Sequence, residues 1–168
     1  IYSYAQWNTT YGQGTLTITG GTFKNKGTSI IGTDNADNSG ISITGGTFSS
    51  DVSAYIPADK AQGADGTVSD ATAKVGTTSY KTLAEAVEKA KAGDTVVLLK
   101  DTSNEIITIS KNLTLDLGGK KLTGVDLTNK NKKNERIALT VDAGTVTVKN
   151  GEIDGRVNAY DAAKLTID

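Results

Sequence analysis

Cysteine and histidine are both absent from the 168 residues, and each absence closes a field of chemistry. Without cysteine there are no disulfides and no thiolate metal sites, so stability has to come from packing and hydrogen bonds. Without histidine the usual general base is gone, and with it the Ser-His and Cys-His nucleophile systems and most zinc and iron centres. Methionine is missing too, so Ile1 does not read as a translation start, and the last residues, Lys164–Asp168, fall inside an alternating stretch. Both ends therefore read as cut and the chain as a piece of a longer one, in which case the lack of a signal peptide carries no information about export. Aromatic residues make up 5% of the chain and proline occurs once, at Pro57. No apolar run approaches the roughly 20 residues that span a bilayer, so no membrane insertion is expected. With a net charge of −1 there is no basic footprint of the kind nucleic acids select.

Glycine, threonine, asparagine and aspartate are abundant instead. Such a composition cannot fill a bulky aromatic core, but it suits short β-branched strands broken by tight turns.

The most ordered stretch runs from Tyr80 to Asp101. Thr82 is placed to cap a helix, with Glu85 three residues on to complete a capping box. Leu83, Ala86, Val87 and Ala90 recur at i, i+3, i+4 and i+7 and form one apolar stripe. Glu85, Glu88, Lys89 and Lys91 lie off it, and Gly93 can end the helix. Val96-Val97-Leu98-Leu99 follows as an apolar run that reads as a strand buried on both faces. A helix over about 82–92 leading directly into a buried strand predicts a lid at the start of a stack of strands.

An internal repeat lies upstream. Leu16-Thr17-Ile18-Thr19-Gly20-Gly21-Thr22-Phe23 returns 25 positions later as Ile41-Ser42-Ile43-Thr44-Gly45-Gly46-Thr47-Phe48. Alternation places Leu16 and Ile18 inward and Thr17 and Thr19 outward. A period in the twenties marks units that bury their apolar face only by stacking on a neighbour. The same alternation returns from Leu113, Val146 and Leu165, at unequal spacings of 33 and 19 residues. That irregularity predicts coils with loops of different length. Residues 49–58 read as a tail packing Val52, Tyr55 and Ile56 on the last coil, and 59–72 as a linker.

The stretch from Tyr80, continued by Ile106–Leu115, resembles the opening of right-handed parallel β-helix, pectin-lyase-like proteins, where a helix and strand cap the coils. The two ITGGTF repeats and the following SSDVSAYIPADKA resemble terminal coils of β-helix modules in large cell-surface proteins of Gram-positive gut bacteria. The resemblance implies an all-β chain, a right-handed parallel β-helix (solenoid) with a short capping α-helix at about 82–92. Residues 1–58 would be terminal coils and tail of one module, 59–72 a linker, and 73–168 the cap and first coils of a second. It further implies an extracellular place on the bacterial cell surface, among flanking modules of the same parent chain. The function expected is a non-catalytic structural or adhesive module contacting polysaccharide or a host surface glycoprotein. A polysaccharide lyase or glycoside hydrolase is the alternative, and a mucin- or immunoglobulin-binding module a third.

For activity, the fold family's lyases set acidic residues and calcium beside an arginine or lysine base. Only Arg136 and Arg156 are present, with Asp116, Asp126, Asp142 and Asp154 as neighbours on the later coils. No family motif surrounds either arginine, and Asp116 occupies an outward position between Leu115 and Leu117. Glycoside hydrolysis would need carboxylates such as Asp116, Asp142 and Asp154 paired across coils. Asp34–Ser39 fails the calcium-loop pattern at its second ligand, Ala36, and reads as an Asx-rich turn. Asn129–Arg136 reads as a solvated basic loop. The first 14 residues hold Tyr2, Tyr4, Trp7 and Tyr11, which are either core packing or an aromatic platform for glycans. No catalytic residue, metal site or cofactor is expected.

Overall fold

The computed structural model describes residues 2–3, 15–26, 32–33, 40–127, 135–160 and 162–168. Among them strands dominate, and the chain divides into two compact units, Ile1–Asp70 and Ala71–Asp168. The protein is all-β, with parallel pairing in both units.

In the first unit the strands are β1 (Tyr2–Ser3), β2 (Leu16–Ile18), β3 (Thr22–Phe23), β4 (Gly32–Thr33), β5 (Ile41–Ile43) and β6 (Gly46–Phe48). The 25-residue repeat is a pairing register. Leu16, Thr17 and Ile18 lie parallel against Ile41, Ser42 and Ile43, and Thr22-Phe23 against Thr47-Phe48. Each residue therefore meets its own repeat equivalent. The two phenylalanine rings stack with centroids 4.9 Å apart and planes 8° from parallel. Gly45 is required by that closeness, since a Cβ there would sit 2.4 Å from the Thr19 carbonyl oxygen. Ile18, Ile41, Ile43, Phe48, Val52 and Val68 form the buried cluster, with Tyr55 and Ile56 packed against it.

The segment expected as a linker folds instead as a hairpin. Strands β7 (Lys60–Gln62) and β8 (Thr67–Asp70) pair antiparallel, and β8 adds antiparallel to β6. Ala61 and Val68 are buried beneath it. The Gln62 carboxamide accepts from the Val52 N–H at 2.9 Å and donates to the Ser50 carbonyl at 3.0 Å. Strands of three or four residues are too short to print a period on so polar a sequence. Their role is to cover an edge that would otherwise present unpaired backbone groups.

The second unit opens with β9 (Ala73–Val75) and β10 (Thr78–Tyr80), an antiparallel hairpin, followed by α1 (Leu83–Lys89). The strands that follow among the described residues are β11 (Thr95–Leu98), β12 (Ile107–Ile109), β13 (Leu113–Asp116), β14 (Lys121–Thr123), β15 (Val125–Asp126), β16 (Arg136–Val141), β17 (Gly144–Lys149), β18 (Glu152–Asp154), β19 (Arg156–Ala159) and β20 (Ala163–Ile167). Three parallel ladders result: β11-β13-β17-β20, β12-β16-β19 and β14-β18. From β13 onward the chain visits the first, third and second ladders in the same order, and before it the third is represented by the isolated parallel bridge between Thr102 and Leu122. The β9 strand closes one edge, pairing antiparallel with β11.

Helix α1 buries the stripe that its spacing predicts: Leu83, Ala86, Val87 and Ala90 are buried in one cluster with Val96, Leu98, Ile107 and Ile109. The Thr82 hydroxyl accepts from the Glu85 N–H at 3.1 Å. The helix stops earlier than its pattern, because Ala90 is already extended (φ −60°, ψ 142°). Lys111 takes over the cap: its Nζ donates to the carbonyls of Glu88 at 3.0 Å and Ala90 at 2.7 Å. A charged donor on such orphan carbonyls is favourable at a helix C-terminus. The run Val96–Leu99 also differs from its reading. Val96 and Leu98 are buried, but Val97 and Leu99 are only half-buried, so this strand has one inner face and one outer.

Candidate functional site

Parallel pairing without a shift lines outward residues into columns. Thr95, Thr114, Thr147 and Thr166 stand in register across β11, β13, β17 and β20, while their neighbours Val96, Leu115 and Val148 are buried. Beside this hydroxyl column lies a second, Val97, Asp116 and Lys149. On the next ladder Thr108, Thr140 and Asn158 repeat the arrangement. Successive strands in a sheet are about 4.8 Å apart, so the threonine column and the Thr108–Thr140–Asn158 column are regular tracks of small polar groups, while Val97, Asp116 and Lys149 form a mixed one.

The acidic residues on these faces are engaged. Asp116 accepts from the Gly118 N–H at 2.9 Å and from the Asn150 amide at 3.1 and 3.2 Å on its two oxygens. Lys149 lies 3.9 Å away. On the third ladder Asp154 accepts from Arg136 at 2.7 Å and pairs with Lys121 at 3.3 Å. Arg136 also reaches Asp126 at 3.2 Å, Lys121 reaches Glu152 at 2.7 Å, and Arg156 reaches Glu135 at 3.5 Å. The hydrogen bonds from Lys121 and Arg136 hold the Asp154 carboxyl below the usual range. The hydrogen bonds that Arg136 donates to Asp126 and Asp154 raise its guanidinium still further.

Both shifts run against catalysis at this cluster. A general base must first lose its own proton, and two carboxylates bind that proton more firmly to Arg136. A general acid for a glycosidic oxygen needs a raised pKa, whereas Asp154 is lowered. Asp116 lies on β13, Asp154 on β18 and Asp142 in the turn after β16, and no register pairs any two of them. The structure therefore joins Arg136 with Asp126 and Asp154 and leaves Asp116, Asp142 and Asp154 apart. Among the described residues no group of three or more acidic side chains is placed to hold a metal ion. Of the aromatic stretch, Tyr2 contributes backbone pairing to Gly32. Tyr4, Trp7 and Tyr11 lie outside the described residues, as do 34–39 and 128–134.

Glu105, in the turn before β12, belongs to no sequence motif. It is half-buried and accepts from the Ala84 N–H at 3.3 Å. Burial raises its carboxyl above the usual range, with the Ala84 hydrogen bond opposing. The folded state thus binds this proton more tightly than the unfolded chain. Stability from Glu105 is full below the ordinary glutamate pKa of about 4.3 and is lost as pH rises through the folded value. Glu105→Gln retains an acceptor for Ala84 and removes the charge. Its melting temperature should exceed the wild type's by a margin that grows from acid to neutral pH. A margin independent of pH would contradict this account.

No protein-family model matches the chain, and neither a curated protein nor a solved structure does. The class that fold and surface define is an all-β protein of parallel ladders with, among the described residues, one seven-residue α-helix. Its outer faces carry hydroxyl columns and closed ion-pair clusters. Among the described residues no helix is long and apolar enough to cross a membrane.

Proposed function

We propose that both units are right-handed parallel β-helix stacks, and that the chain is a non-catalytic structural or adhesive module of a large bacterial surface protein. Its place would be extracellular, beside flanking modules of the same parent chain. The observation that carries this reading is the engagement of Asp116, Asp154, Arg136 and Lys121 with one another or with neighbouring side chains. Groups paired in this way are poorly poised for proton transfer. Flat columns of threonine offer many weak contacts to a polysaccharide or a glycosylated host protein. They do not enclose a reacting centre, which differential transition-state binding requires.

The test is incubation with pectin, alginate, hyaluronan and mucin glycans, with and without calcium. No reducing ends and no unsaturated products are expected, with weak retention on immobilised polysaccharide at most. Turnover abolished by Asp116→Asn, Asp142→Asn or Asp154→Asn would overturn the proposal and place an active site on the second unit.

A further inference from the structure

The sequence contains one Asn-Gly dipeptide, Asn150-Gly151, and the fold demands it. Asn150 sits in the left-handed region at φ 60°, which asparagine tolerates better than most side chains. Its carbonyl accepts from the Gly119 N–H at 2.6 Å. At Gly151 a Cβ would lie 2.3 Å from the Leu117 Cβ and 2.5 Å from the Lys120 carbonyl oxygen. The turn after β17 therefore needs a flexible polar residue followed by one with no side chain. Asn-Gly is also the pair most open to succinimide formation, because glycine does not shield its own nitrogen from the preceding carboxamide.

We infer that Asn150 is a spontaneous deamidation site whose rate in the folded protein is set by Asp116. In the reaction the Gly151 N–H loses its proton to hydroxide, the nitrogen attacks Asn150 Cγ to form a C–N bond, and the Cγ–Nδ2 bond breaks as the leaving nitrogen takes a proton from water and departs as ammonia. Water then opens the succinimide to aspartate or isoaspartate. Asn150 is solvent-exposed, so burial does not protect it. What restrains it is the pair of contacts from Nδ2 to Asp116 Oδ1 and Oδ2, at 3.1 and 3.2 Å. Donation to an anion fixes the carboxamide rotamer and makes Cγ less electrophilic. The aspartate product would set a second carboxylate beside Asp116, and like charges at that distance oppose each other.

The experiment is timed incubation of the 168-residue chain in mildly alkaline buffer, with peptide mass mapping of the one-unit gain at Asn150. Folded wild type should deamidate more slowly than the urea-unfolded chain. Asp116→Ala should deamidate about tenfold faster than folded wild type, equivalent to about 1.4 kcal/mol on the barrier. Should that variant fail to fold, Asp116→Asn keeps the shape, weakens the acceptor, and should give an intermediate rate. Asn150→Asp should lose melting temperature at neutral pH and recover it in acid, where one carboxyl is protonated. Equal rates in folded wild type and both Asp116 variants, or in folded and unfolded wild type, would overturn the inference.

Discussion

Val87→Asp should leave the second unit unfolded or aggregated under conditions where the wild-type chain melts cooperatively, while Glu88→Ala should be nearly neutral. Val87 is 4% exposed, and its neighbours in the cluster, among them Leu83, Ala86, Val96 and Ile109, offer a carboxylate no partner. An uncompensated buried charge costs about 3–5 kcal/mol, set against a total stability of about 5–15 kcal/mol for an ordinary domain. Loss of the lid would also expose the open core and invite association between chains. Glu88 lies on the exposed side of the same helix turn, so the pair separates the burial of one face from general damage to the helix. Circular dichroism melts and size-exclusion elution read the result. A monomeric Val87→Asp chain with the wild-type melting temperature would show that this face does not close the stack.

Phe48→Ala should be the corresponding lesion in the first unit, at about 3–5 kcal/mol. The Phe48 ring is 2% exposed, packed within a small cluster and stacked on Phe23. Removing it deletes buried area, the stack and the partner of Phe23 together, and backbone this close has little freedom to collapse into the space. Phe23→Ala should cost less, because that ring is only half-buried. Amide hydrogen exchange at Ile43 and Thr47 measures both. Similar protection in the wild type and Phe48→Ala would mean that the cluster does not depend on the stacked rings.

Much of the strand content is written locally. The Leu16–Phe23 and Ile41–Phe48 copies carry their own alternation and their own Gly-Gly turn, so inner and outer residues follow from sequence alone. The stripe of α1 and its Thr82 cap are legible for the same reason: a helix face is set by residues three and four apart. The β7–β8 hairpin was not legible. Its strands are short and polar, and what stabilises them is burial against β6 and hydrogen bonds between Gln62 and residues 10 and 12 positions away.

The amino-acid sequence by itself determined the all-β character, the 25-residue register of the first unit, the buried face of the lid and the exclusion of histidine and thiolate chemistry. Only the tertiary structure decided which polar residues meet. Arg136 and Asp154 are 18 positions apart, Asp116 and Asn150 are 34 apart, and Lys111 caps a helix more than 20 residues upstream. Alternation fixes which side of a strand faces outward. It does not say which later strand lies beside it, because that depends on the unequal lengths of the intervening loops. Charge pairing between strands therefore appears only once the ladders are formed, and with it whether a carboxylate on the surface is held by its neighbours or left available for chemistry.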